Sequence, residues 1–381
     1  MAHVPASGAG ERSGRRVLLV SIRKLNSHAA WCSNYEFEDV IAGVDDVDVL
    51  ELEPGGFRPQ RQRLARSLAF RRLGSGLNPG VANVEVERDY DLMIFVCMNV
   101  WDLLYLNALR GWRERCRVKV CYMVEFYTGQ ETELAGLFGL LEGFDHVTQS
   151  FATSAVTVAQ ASGRPCSHVP LAVDALRFTP FPAPPARVID VLSIGRRSEP
   201  AHRALRADAR EHGIFYLHDT IAGAHVHPTN PAEHRENYAS QARRARLFVT
   251  YPAKFAADEN RGLSEVGARY YEGLAAGAVL LGNAPTSPGF REDFPWDDAV
   301  AELKADGSDA AATVTGLLAR PEELARLSRR NALHALRNHD WAHRWKAILA
   351  LAGLPARPAL EARLARLDAL ARGAEAKEEA A

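Results

Sequence analysis

No stretch of this 381-residue chain is apolar for long enough to span a bilayer. The longest apolar run, Leu92 to Met98, falls far short of the roughly 20 residues a spanning helix needs. Cysteine is scarce as well. Cys32, Cys97, Cys116, Cys121 and Cys166 are odd in number and form no CxxC pair, which argues against a disulfide framework or a zinc cluster. Cys97 and Cys121 stand inside apolar runs and read as buried structural thiols. Neither sign of charge is in excess: 46 basic and 47 acidic residues give a net charge of −1, so no nucleic-acid partner is expected. Hydrophobic residues at 47% exclude disorder for the bulk of the chain. The opening MAHVPASGAGERSG has no apolar stretch of the kind a secretory signal carries. The expectation is a disordered tail over 1–14 and a cytoplasmic protein with room for about two domains.

What is present is an alternation of strands and helices. Val17–Ile22 is a short leucine and β-branched run bounded by charge, the pattern of a strand buried on both faces. Tyr35–Ala42 reads as a helix, Val47–Leu52 as a strand, Gln60–Arg72 as a basic amphipathic helix and Tyr90–Asn99 as another buried strand. Val100–Leu109 reads as a helix, Val118–Glu125 as a strand and Phe144–Phe151 as a further one. Four prolines within Thr179–Arg187 mark a linker. Alternation then resumes with strands near Val188–Gly195, Ile214–Asp219, Leu247–Tyr251 and Ala278–Gly282 and helices between them, the last over Ser264–Ala276. The prediction is an α/β protein of two parallel-sheet halves, with any ligand in a cleft at the strands' C-terminal ends. The domains are expected at 15–179 and 188–355, joined by a hinge at 180–187. Residues 356–381 carry Leu360, Leu364 and Leu367 on one helical face, which offers itself to the chain's own body or to a homodimer partner.

The most informative stretch is Arg261–Asn283. In a helix there, Glu265 and Glu272 lie seven positions apart on one face, with Arg269 in reach of either. Ala275, Ala276 and Gly277 let the helix end close against the next strand. A surface ion-pair ladder fits this pattern, and so does a carboxylate that accepts hydrogen bonds from a ribose diol. His218-Asp219, His225, His227 and His234 crowd one region, but no HExxH or paired cysteine accompanies them, so a strand-to-helix loop outweighs a zinc site. His28 follows the first strand and Glu125 ends the Val118 strand, where either is placed as a general base, an acceptor orienter or a structural cap. Arg61, Arg63, Arg66, Arg71 and Arg72 make a basic helix, a solvated face that also suits an anionic acceptor or peripheral membrane contact. There is no GxGxxG after the first strand, which disfavours a dehydrogenase.

Tyr270–Gly282 (YYEGLAAGAVLLG) resembles the donor-site helix of GT-B glycosyltransferases, in particular the retaining group-1, family 4 class. Three further stretches agree in order. Val169–Phe181 (VPLAVDALRFTPF) is similar to the family's hinge entry, Val191–Ser198 (VLSIGRRS) to the strand and loop opening its nucleotide domain, and His339–Ala350 to its closing helix. The likeness covers about 140 to 350; the first half matches only in its α/β pattern.

The resemblance implies a GT-B fold of two Rossmann-like domains facing a central cleft. It implies sugar transfer from a nucleotide-diphosphate donor to a hydroxyl on a small molecule, glycan or lipid-linked acceptor, with retention. Glu272 matches the second glutamate of the family's Glu-x7-Glu motif, which holds the donor ribose. Eight positions earlier stands Ser264, so either Glu265 meets the sugar through a shifted loop or Ser264 does something different. Gly195, Arg196 and Arg197 match the glycine-arginine loop, Lys254 stands where a basic residue often helps, and Arg269 adds a cation. Forked guanidinium donors suit a diphosphate, and a solvated surface arginine fits Arg197 better than Arg196. No DxD-like pair ends a strand of the second half, Asp297-Asp298 reading as a turn. Cations and helix N-termini are therefore expected to stabilise the leaving group, with no metal or resident cofactor. The rivals are a nucleotide-sugar epimerase of the same fold and a catalytically silent sugar-nucleotide-binding protein, the latter favoured by Ser264.

Overall fold

The computed structural model describes residues 16–220, 226–255 and 262–379. The expected tail at 1–14, together with His225 and Arg261, lies outside them. The chain divides into two compact units: Met1–Ser27 with Phe37–Pro170 and Trp345–Leu360, and His28–Glu36 with Leu171–Arg344 and Glu361–Ala381. The break in the middle of the chain thus falls at Pro170, ahead of the proline-rich segment.

The first unit is built on a parallel sheet. Its strands are β1 (Val17–Ser21), β2 (Val47–Glu51), β4 (Tyr90–Asn99), β6 (Cys116–Glu125), β7 (His146–Gln149) and β8 (Cys166–His168), in the order β2-β1-β4-β6-β7-β8. A separate parallel pair joins β3 (Val84–Glu85) to β5 (Leu109–Arg110). Continuous apolar runs form the middle of the sheet because a central parallel strand is covered on both faces: Leu92–Met98 of β4 are all buried. The Cys97 and Cys121 sulfurs lie 3.7 Å apart as free thiols. Val100–Ala108 is a 3-10 helix, not the α-helix its spacing suggests. Asn99 caps it by accepting from the Trp101 N–H, and the Asp102 carboxylate accepts from the Met98 N–H at 2.9 Å.

The second unit repeats the plan with five parallel strands: β9 (Ile189–Ser193), β10 (Tyr216–His218), β11 (Ala245–Thr250), β12 (Val279–Gly282) and β13 (Val300–Glu302), ordered β10-β9-β11-β12-β13. Val191, Leu247, Val249, Val279 and Leu281 project into a core closed by Leu205, Val314 and Leu327 from helices. The order is doubly wound and reverses between β9 and β11, so the crevice beyond their C-terminal ends is where such a sheet receives a ligand.

Two expectations on element edges change. The helix expected from Ser264 begins only at Ala268 and runs to Ala275, so Glu265 lies outside it and shares no helical face with Glu272. The C-terminal helix, Pro358–Glu379, turns its apolar face inward: Leu360 and Leu367 are buried, and Arg329 donates to the Ala374 carbonyl. Of the two occupants offered for this face, the chain's own body is the one that covers Leu360 and Leu367. No helix among the described residues is long and apolar enough to cross a membrane.

Candidate functional site

The loop leaving β9 is shaped by a residue without a side chain. Gly195 has φ +91°, a conformation that favours glycine, and its N–H donates to Asp219 Oδ2 at 2.8 Å. Arg197 Nη1 donates to the Asp219 carboxylate at 3.1 Å and to its carbonyl at 3.0 Å, fastening this loop to the end of β10. A Cβ on Gly195 would sit 3.3 Å from Arg269 Nη2. Its absence lets that guanidinium lie against the loop, where Arg269 Nε donates to the Ile194 carbonyl at 3.1 Å. The guanidinium also sits over the Tyr238 ring, 4.7 Å from its centroid, and the Arg269 side chain keeps 34% of its surface exposed. A cation thus stands at the switch point between β9 and β11.

Beneath it runs a buried chain of charge. Glu272 is 1% exposed and its two oxygens accept from Arg269 Nη1 and Arg235 Nη1. Arg235, 3% exposed, turns its other edge to Glu36, with Nε to Oε2 at 2.8 Å and Nη2 to Oε1 at 3.1 Å. Glu36 also accepts from the Asp174 N–H at 2.7 Å, Arg177 Nη1 at 3.1 Å and Trp341 Nε1 at 3.2 Å. Burial would push the Glu272 carboxyl up, yet Arg269 and Arg235 outweigh it and hold it down at about 2. Burial likewise works against the charge on Arg235, and Glu36 and Glu272 raise its pKa above the usual arginine range. Cys32 lies close to these charges, and burial pushes its thiol up to about 11.

These contacts revise several sequence assignments. Glu272 belongs to no surface ladder: it is buried, and its two oxygens accept from Arg235 and Arg269. Arg197 is the anchored member of the arginine pair and Arg196 the exposed one, opposite to expectation. Ser264 ties loops together: its Oγ accepts from the Thr286 N–H at 3.2 Å and its carbonyl from the Ser287 N–H at 3.1 Å. The Glu265 side chain is buried and its carbonyl accepts from the Ala253 N–H at 2.9 Å. Lys254, half-buried, holds a left-handed φ of +50° next to that contact.

His28 falls in the second unit and caps the short helix Ala29–Trp31 through Nδ1, which accepts from the Ala30 N–H at 3.0 Å. Its ring stacks edge-on against His227 at 5.4 Å. Glu125 ends β6 in the first unit, half-buried and in register with Asn99. Among the described residues no group of three His, Cys, Asp or Glu is arranged to hold a metal. His202 and His218 form an aromatic cluster with Tyr216, and burial together with Arg197 holds His202 down at about 4.

Residues 196–350 match the family described as glycosyl transferase-like. Most of the chain also superposes on solved structures. HepE of Anabaena, solved with UDP, aligns over 89% of this chain and 100% of its own at 12% identity and a TM-score of 0.52. The α,α-trehalose-phosphate synthase (UDP-forming) of Burkholderia vietnamiensis aligns over 92% and 99% at 11% identity and 0.54. This chain has the GT-B fold, and its residues 196–350 carry the glycosyl transferase-like match. An α-glucosyltransferase solved with UDP-glucose and DNA containing an abasic site shares the fold at 10% identity and 0.51, over 90% of this chain and 100% of its own. No curated protein matches the sequence. Sequence reasoning missed Glu36, Arg235 and Tyr238, and named Asp219 only as a neighbour of the histidines. Glu36 and Arg235 are 199 positions apart, and no local pattern in the sequence signals such a pairing.

Proposed function

We propose that the chain moves a sugar from a nucleotide-diphosphate donor to a hydroxyl acceptor, with retention, without a metal ion and without a resident cofactor. The observation that carries the reading is the placement of Arg269 against the Gly195 loop at the switch point of the second sheet. When the bond from the anomeric carbon to the diphosphate oxygen breaks, its electron pair stays on the phosphate. The acceptor oxygen then bonds that carbon and gives up its proton. The charge growing on the leaving diphosphate needs fixed cations that do not reorganise during the reaction. Arg269 suits this role because Glu272 and the Ile194 carbonyl fix its orientation. Arg196 and Arg197 extend the positive field, as does the N-terminus of the helix Glu199–His212, which follows them directly.

On this reading Glu272 positions Arg269, and the donor meets the guanidinium. The acceptor proton goes to Glu125. His28 is assigned as an orienter, because a neutral imidazole whose Nδ1 accepts a hydrogen bond carries its proton on Nε2 and donates there. The work Ser264 does in tying loops favours one second reading, a sugar-nucleotide-binding protein without turnover.

UDP-glucose heads the donor panel because HepE was solved with it. Thermal shift with UDP-, GDP-, ADP- and dTDP-sugars, followed by donor hydrolysis, is the test. One donor is expected to raise Tm and to be hydrolysed, slowly without acceptor. Binding without turnover across an acceptor panel supports the second reading, conversion of donor alone to an epimeric sugar nucleotide supports an epimerase, and neither binding nor hydrolysis overturns the proposal.

A further inference from the structure

The chain is close to neutral overall, yet from Pro54 to Val84 it carries Arg58, Arg61, Arg63, Arg66, Arg71 and Arg72 and no aspartate, glutamate or lysine. The helix Arg58–Phe70 in this stretch buries only Ala65 and Ala69. Small residues seat it firmly on the first unit. Gly136 lacks the Cβ that would lie 2.9 Å from the Ala69 carbonyl, and Gly80, at φ +87°, lacks one that would lie 2.5 Å from Arg58 Cα. The opposite side is unusual for a solvated helix. Among the described residues nine large hydrophobic side chains are exposed, and four of them, Phe57, Leu64, Phe70 and Leu73, fall here.

Phe57 is 82% exposed and holds a left-handed φ of +55°, a region that bulky side chains avoid and asparagine or glycine fill readily. A phenylalanine there gains nothing from the core. Arg61, Arg63, Arg66 and Arg71 are exposed among these apolar side chains, Arg63 and Phe70 seven positions apart on one line of the helix. Arg72 donates inward to the Thr132 carbonyl, beside Glu131 and Glu133, so the free positive charge is concentrated toward the Arg61–Arg66 end.

We propose that this face, Phe57 to Leu73, docks on the surface of an anionic lipid bilayer. Apolar side chains on a seated helix gain by entering the boundary between headgroups and acyl chains, while arginine stems snorkel and leave the guanidinium at the phosphates. Duplex DNA would reward the arginines alone; the exposed phenylalanines and leucines together select lipid. The proposal is independent of the donor chemistry.

Sedimentation of the full chain with vesicles of phosphatidylcholine, with or without phosphatidylglycerol, tests it. The chain is expected to pellet with phosphatidylglycerol vesicles and to stay in solution with phosphatidylcholine alone, with binding weakened by salt. Each arginine removed from Arg61, Arg63 and Arg66 should weaken partitioning roughly fivefold at low ionic strength. Phe57→Asn with Phe70→Ser should remove the part of the binding that survives high salt; asparagine suits the left-handed backbone, so the fold is kept, which circular dichroism verifies. Equal pelleting with both vesicle types, no loss in folded variants, or a preference for duplex DNA over anionic vesicles would each overturn the proposal.

Discussion

Arg269 presents charge to the candidate site and Glu272 fixes where that charge sits, so the two should fail differently. On the proposed reading, Arg269→Ala would remove a charge-assisted contact to the donor diphosphate, a loss of about 1.5–3 kcal/mol, and donor affinity by calorimetry should fall roughly 10- to 100-fold. Arg269→Lys should restore little of it, since an ammonium cannot bridge Ile194, Glu272 and a phosphate at once. Unchanged donor affinity in a folded Arg269→Ala protein would remove Arg269 from the site. Glu272 can be read through pH. Its folded-state pKa of about 2 lies below the unfolded value of about 4.3, so its stabilisation is complete above that unfolded value and lost as pH falls toward about 2. The urea midpoints of the wild type and Glu272→Gln should differ most near neutrality and converge as the solution is acidified. A gap that stays constant down to the acid limit would contradict the ion-pair account.

At the scale of elements, the helix Ala268–Ala275 shows what patterning reveals and what it leaves open. Its small-residue exit and its closeness to β12 were legible from Ala275, Ala276 and Gly277, and the structure adds Gly273 to them. A Cβ on Gly273 would lie 2.6 Å from Leu280 Cδ2 and 2.8 Å from Phe248 Cδ1. Gly273→Ala should therefore destabilise the protein by roughly 1–3 kcal/mol through overpacking, measured by urea unfolding; a neutral effect would mean that both side chains move aside freely. The helix start was not legible. Gly267 caps the helix in extended backbone, and the Ser264 and Glu265 carbonyls, which an earlier first turn would use, accept instead from the Ser287 and Ala253 N–H groups. Residues distant in sequence thus decided that Glu265 leaves the helical face its spacing suggested. The Val100–Ala108 helix was shifted to 3-10 geometry within an otherwise correct reading.

Across the whole molecule, buried ion pairs join segments that sequence order keeps far apart. Arg363, near the start of the C-terminal helix, donates to Asp174 at 2.6 Å and to the fully buried Asp340 through Nε and Nη2, both at 2.8 Å. Arg363→Met would leave those carboxylates without their guanidinium, at a cost of roughly 3–5 kcal/mol; a loss below about 1 kcal/mol in denaturant titration would show that the helix is not anchored there. The sequence by itself determined the α/β class, most of the strands and the order of the donor-half segments. A strand covered on both faces must be continuously apolar, and an amphipathic helix must repeat with its own period, so both are local properties of the chain. Only the tertiary structure decided which charges meet. Many arginines and carboxylates look alike along the chain, and burial alone selects Glu36 for Arg235 and Arg235 for Glu272, because an unpaired charge taken out of water would not be tolerated there.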